Sequence, residues 1–130
     1  EAIIEAPVGR SLVNRTKMSL FKTSTSKNAI TKYKVISKSD VASLLQCEIE
    51  TGRTHQIRVH LRYIGHPILG DDKYFIDASE RISKEFSVEK ICLHAAELAF
   101  VPINAKEEKA IIATIPEHFK SIADRCGLSV

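Results

Sequence analysis

Cysteine is scarce and poorly placed for cross-linking: Cys47, Cys92 and Cys126 are odd in number, widely spaced and form no C-x-x-C pair. That pattern excludes a disulfide scaffold and fits a reducing compartment, with Cys47 expected as a small core residue. Metal-ligand signatures are missing as well. There is no H-E-x-x-H, and His55 and His60 stand five residues apart, so on a helix they point different ways and no metal site is expected. No apolar run approaches the roughly 20 residues of a membrane span, and no signal-peptide pattern opens the chain, so no membrane partner is expected and the expected location is cytoplasmic. Repeats and low-complexity tracts are absent. Methionine occurs once, at Met18, while the chain opens on Glu1, so the sequence is expected to be part of a longer product.

What is present suits one domain or a portion of one. Hydrophobic residues make up 44% of 130 positions, enough for a real core. Charge is uneven: residues 1–62 hold 11 Lys/Arg against 5 Asp/Glu, and residues 63–130 hold 8 against 11. A basic first half suits a surface facing nucleic acid, although solvated lysines would give the same count.

Periodicity outlines an α+β chain. Residues 2–5 are a short apolar strand closed by Pro7 and Gly9. Residues 10–28, rich in Ser, Thr and Lys, read as an extended loop with a short strand at 18–21. Thr31, Tyr33 and Val35 alternate with lysines in a strand over 29–37. Val41, Ser43, Leu45, Cys47 and Ile49 alternate in a second strand, and the short polar connection between them predicts an antiparallel hairpin. Pro67 and Gly70 make 66–75 a fixed loop. Residues 76–89 read as helix or loop with weak anchors, 91–101 as a buried strand, and 109–115 as its hairpin partner. Pro116 then opens a terminal helix whose inner face is Phe119, Ile122 and Ala123, and Gly127 closes it.

The densest chemistry lies between the two halves, in Glu50-Thr-Gly-Arg-Thr-His-Gln-Ile-Arg-Val-His-Leu-Arg62 and the residues that follow it. Thr54 is the expected N-cap of a short helix, and Gly65 the left-handed residue that stops it. Ile57, Leu61 and Ile64 fall on one side for a core, while His55, Arg58 and Arg62 share another face. Gly52, Arg53 and Thr54 at the helix start favour an anion such as phosphate. The plainer reading of the same spacing is a solvated basic helix.

The stretch from Thr51 to Leu61, followed by Gly65-His-Pro-Ile-Leu-Gly-Asp-Asp-Lys-Tyr74, resembles the most recognisable C-terminal motif of the RluA-type RNA pseudouridine synthases. Pro7-Val-Gly-Arg10, the strand from Lys27 to Val35, Leu93-His-Ala-x-x-Leu-x-Phe100 and Ile115-Pro116 fit other segments of that family in the same order. The resemblance covers essentially all 130 residues.

The resemblance implies a mainly antiparallel sheet with a few short flanking helices. It also implies isomerisation of a uridine already in RNA, from an N-glycosidic to a C5 linkage, without cofactor or metal. The family's aspartate motif and the tyrosine motif after it would lie upstream of Glu1. Residues 1–130 would thus be the C-terminal portion of a single catalytic domain, partnered by that N-terminal half. By motif position, Arg58, whose planar, always charged guanidinium suits the task, pairs with the catalytic aspartate. Arg53, Thr54, His55 and Gln56 would contact phosphate or the flipped nucleotide, with Arg62 a further phosphate contact and Leu93 shaping the uracil pocket. Arg10, Arg15, Lys17 and Lys22 would face the RNA-binding cleft. His60 and His94 are expected to be structural, and Asp71 and Asp72 to fix a loop or form ion pairs.

The expected RNA is ribosomal, with tRNA the alternative among relatives. Deprived of the upstream aspartate, Arg58 is expected to lack its carboxylate partner and the fragment to be inert alone. Two rival readings remain: a non-catalytic RNA-binding module, and an unrelated basic fold that binds a small phosphorylated ligand at residues 52–54.

Overall fold

A computed structural model describes residues 1–13, 17–20 and 26–130. The candidate contacts Arg15 and Lys22, and Phe21 of the expected 18–21 strand, lie outside the described residues. The chain runs β1 (Ala2–Glu5), β2 (Gly9–Arg10), β3 (Met18–Ser19), β4 (Ile30–Lys38), β5 (Ser43–Ile49), α1 (Gln56–Tyr63), α2 (Asp77–Glu85), β6 (Glu97–Phe100), β7 (Lys109–Ile112) and α3 (Glu117–Arg125). It is α+β, and every strand pair among the described residues is antiparallel, as the pattern and the resemblance implied.

The expected hairpin is β4–β5, which with β1 forms a three-stranded sheet in the order β1-β4-β5. Pairing runs from Thr31 opposite Ile49 to Lys38 opposite Ser43, with a bulge at Ile36, between Val35 and Ser37. One inserted residue reverses the alternation of faces and increases local twist. The inner face at the β4 start carries Thr31, which is fully buried. Two smaller ribbons, β2–β3 and β6–β7, stand apart from this sheet.

Among the described residues two clusters make the core. Val8, Ala29, Val59 and Tyr74 join β4's approach to α1, with Met18 and Leu20 packed against them. Val88, Ile122, Ala123, Cys126 and Leu128 join α3 to the segment after α2. The terminal helix follows expectation: Pro116 sits at its N-cap, and Gly127 at φ 76° releases the chain. Gly70 is needed twice over, since its φ is 78° and a Cβ there would overlap the Lys90 carbonyl.

Three local expectations are corrected. The N-cap of α1 is His55, not Thr54, and His55 adopts the left-handed region at φ 55°, ψ 23°. Thr54 belongs to the preceding turn. The supposed buried strand at 91–101 is regular only over β6, and all four of its residues are exposed, because no layer of the described residues covers that ribbon. Cys47 is half-buried on β5, while Cys126 takes the core position.

Candidate nucleic-acid interface around Arg58

The site begins with a latch that fixes the start of α1. Gln56 sits at its first helical position, and its carboxamide is fully committed. Oε1 accepts from the Thr51 hydroxyl at 3.0 Å and the Arg53 N–H at 3.1 Å. Nε2 donates to the Ile30 carbonyl at 2.9 Å and to the Thr31 hydroxyl at 3.1 Å. One turn on, His60 is also fully buried, with Nδ1 2.8 Å from the Thr31 hydroxyl and Nε2 3.0 Å from the Ala6 carbonyl. Two polar side chains of the helix thereby satisfy backbone and hydroxyl groups of β4 and the β1 exit, and none is left unpaired. Gln56 is therefore corrected from RNA contact to internal strut.

The latch sets the azimuth of Arg58. Its Nε and Nη2 each donate to a carboxylate oxygen of Asp71 at 2.8 Å, a bidentate fork. The guanidinium carbon also lies 5.0 Å from the centroid of the Tyr74 ring, a cation–π contact. The arginine side chain is 18% exposed and the Asp71 side chain 0%, whereas Asp72, 3.9 Å away, is 92% exposed. Whatever becomes of the catalytic aspartate expected upstream, Arg58 is not left without a carboxylate, since Asp71 supplies one from within the chain. Asp71 also accepts from the Lys73 and Tyr74 N–H groups at 2.9 and 3.0 Å, so the expected loop-fixing and ion-pairing roles fall on one residue.

Charge follows from these contacts. The Asp71 hydrogen bond raises the Arg58 pKa further. Burial pushes the Asp71 carboxyl upward, but the hydrogen bonds from Arg58, Tyr74 and Lys73 outweigh it and hold the group below the usual carboxylate range. His55 is pushed down by partial burial and by the positive charges of Arg58 and Lys73.

Tyr74 was legible only as an apolar packing residue. Its ring is buried, yet its hydroxyl takes the Met18 N–H at 2.9 Å and lies 2.7 Å from His55 Nδ1. The His55 ring meets the Tyr74 ring edge-on at 5.4 Å. A buried tyrosine needs a partner for its hydroxyl, and a histidine and a short strand were both within the reach of that requirement.

Arg53 is exposed, its Nε donating to the Asn28 carbonyl at 3.0 Å. Thr54 and Arg62 are exposed, and Arg62 forms no ion pair among the described residues. Arg10 lies on β2, opposite Met18 of β3. Leu93 is not brought to Arg58. It is 42% exposed and lines a separate open apolar groove of about 550 Å³ with Ile57, Leu61 and Phe119. His94 contacts the Ala113 carbonyl at 3.4 Å, and no cluster among the described residues could hold a metal ion.

Known proteins share both the strand-to-basic-helix unit and most of the chain beyond it. A family model for RNA pseudouridylate synthase matches residues 1–63. A ribosomal large subunit pseudouridine synthase D from Zymomonas mobilis is 42% identical over 107 residues, 80% of this chain and 34% of the relative. An uncharacterized RNA pseudouridine synthase from Bacillus subtilis is 36% identical over 124 residues, 95% of this chain and 38% of the relative. Human RNA pseudouridylate synthase domain containing 4 superposes with a TM-score of 0.74 at 25% identity, over 99% of this chain and 57% of that one. Fold and motif together define a segment of a pseudouridylate synthase domain. The chain belongs to the RluA-type RNA pseudouridine synthase family, and it spans somewhat over a third of the length of these two curated relatives.

Proposed function

We propose that this chain supplies the arginine-bearing, RNA-facing part of an enzyme that converts uridine to pseudouridine in large-subunit ribosomal RNA. In this reading a segment preceding Glu1 brings the catalytic aspartate. The observation that carries it is the posture of Arg58. Asp71 engages the Nε/Nη2 edge of the guanidinium, exposed Asp72 reaches only to 3.9 Å from Nη2, and the Tyr74 ring and Gln56 latch hold the plane, so Nη1 is left for a second acceptor. A guanidinium fixed in this way keeps an opposing carboxylate ionised and aimed, without reorganising when the substrate arrives.

The reaction breaks the bond from C1′ to N1, turns the uracil, and joins C1′ to C5. It therefore requires the nucleotide out of its stack and its backbone held by positive charge. Arg53, Arg62 and Arg10 are the candidate backbone contacts. Relatives named for the ribosomal large subunit support rRNA as the substrate, and three free thiols support a reducing, cytoplasmic setting.

The test is pseudouridine formation on unmodified large-subunit rRNA by the full-length protein and its Arg58→Ala variant. Activity should fall by about 10²–10³-fold in a variant that still folds. Undiminished turnover would remove Arg58 from the mechanism. Salt-sensitive RNA binding by the unaltered protein with no product on rRNA or tRNA would favour a non-catalytic binding module.

A further inference from the structure

The Tyr74 hydroxyl has one proton and meets two groups. The Met18 backbone N–H can only donate, so it occupies a lone pair of the phenolic oxygen at 2.9 Å. The other neighbour is His55 Nδ1 at 2.7 Å, which accepts or donates according to its tautomer. If Nδ1 carried the proton, the oxygen would receive two donors and its own hydrogen would have no acceptor in a residue only 5% exposed. If Nδ1 is bare, all three groups are satisfied at once. An unspent buried donor is costly, so the second arrangement wins. The histidine proton then resides on Nε2, across the ring from Tyr74, where it makes no hydrogen bond among the described residues.

Resting on the RNA-binding reading above, we propose that His55 is a neutral Nε2–H donor to a backbone phosphate of the RNA, and that Tyr74 is the positioning residue that fixes this tautomer. The groups facing His55 favour an anionic acceptor, since Arg58 and Lys73 are cations and Asp71 is spent on Arg58. Those same cations, with partial burial, keep the ring neutral at pH 7, while burial keeps the Tyr74 phenol protonated. His55 also stands at φ 55°, a conformation that a non-glycine residue adopts at some cost and that clusters at functional positions. The same hydroxyl holds Met18, whose strand pairs with Arg10, so one oxygen sets the spacing of two candidate phosphate contacts.

Two measurements on the full-length protein test this. Long-range ¹H–¹⁵N spectra of histidine-labelled protein at pH 7 should show the Nε2–H tautomer for His55. In Tyr74→Phe, which keeps the ring over Arg58 but lacks the hydroxyl, the tautomers should mix. A wild-type Nδ1–H tautomer, or a His55 signal indifferent to Tyr74→Phe, overturns the positioning role. In binding to a transcribed large-subunit rRNA fragment, His55→Asn, which tolerates the left-handed backbone, should lose about tenfold in affinity. Its salt dependence should match wild type, because a neutral donor displaces no counterion. Unchanged affinity, or a slope lowered by about one, overturns the neutral-donor role. If the unaltered protein does not bind that RNA, the RNA reading itself falls, whereas the spectra still report whether Tyr74 fixes the ring.

Discussion

At the scale of single residues, two adjacent aspartates have opposite fates. Asp71 is buried in a fork with Arg58 and bonded to two backbone N–H groups, whereas Asp72 is almost fully exposed. Asp71→Asn leaves the guanidinium without its carboxylate and should cost about 2–4 kcal/mol, read as a lowered urea midpoint. Asp72→Asn should change stability by less than about 0.5 kcal/mol. Because the folded Asp71 pKa lies below its unfolded value, its contribution is fully present above about pH 4 and is lost as pH falls through the folded pKa. The Asp71→Asn chain should therefore show a shallower loss of stability than wild type below pH 4. Equal acid profiles would mean that the carboxylate gains nothing from the fork.

At the scale of elements, the decisive object is the join between β4 and α1. Gln56 makes two hydrogen bonds across it, to Ile30 and Thr31, and two within the turn before α1, while His60 adds one to Thr31 and one to Ala6. Replacing Gln56 by Ala removes the side-chain donor from the Ile30 carbonyl and leaves the buried Thr31 hydroxyl with His60 alone, so a loss of roughly 1–3 kcal/mol is expected, without any change in RNA salt dependence. His60 carries a pH signature. Burial lowers its pKa, so the folded chain resists protonation that the unfolded chain accepts. Its stabilisation is complete above about pH 6.5 and declines as pH falls from there toward the folded value. Stability measured from pH 7.5 to 5 should fall in wild type and fall less in His60→Asn, a less stable variant; parallel slopes would mean that His60 is not the titrating group.

This join also shows what sequence reveals. The β4–β5 hairpin, the Gly65 stop and the Pro116–Gly127 helix were legible because local propensity and tertiary structure agree there. The end of α1 that matters was not. Left-handed His55 displaced Thr54 as the cap, since the Tyr74 and Gln56 contacts override capping preference. Arg58 could be singled out by motif, but its partner Asp71 lies thirteen residues away across a loop, and no periodicity connects them. Gln56 looked like a surface contact because a polar residue beside a basic helix start gives no sign that its partners are backbone groups of another strand.

At the scale of the whole molecule, much apolar surface stays uncovered. On β6–β7, Leu98, Ile111 and Ile112 are exposed, and Ile103 in the segment that joins the two strands is almost wholly so. The sheet ends on β1 and β5, and the groove under β4 and β5 is lined by Val35, Leu45, Ile57, Leu61, Leu93 and Phe119. Open strand edges and a continuous apolar cleft are unstable features for an isolated soluble unit. The two curated relatives are roughly two and a half times the length of this chain, and the upstream half proposed above would cover these faces. The 130-residue chain alone should therefore bind a hydrophobic dye, self-associate at micromolar concentration and form no pseudouridine. Co-expression with the segment that precedes it should yield a one-to-one complex, suppress dye binding and restore turnover. A monomeric chain with a dry, silent surface would show that these faces close on themselves, because apolar surface without a partner cannot stay both exposed and unassociated.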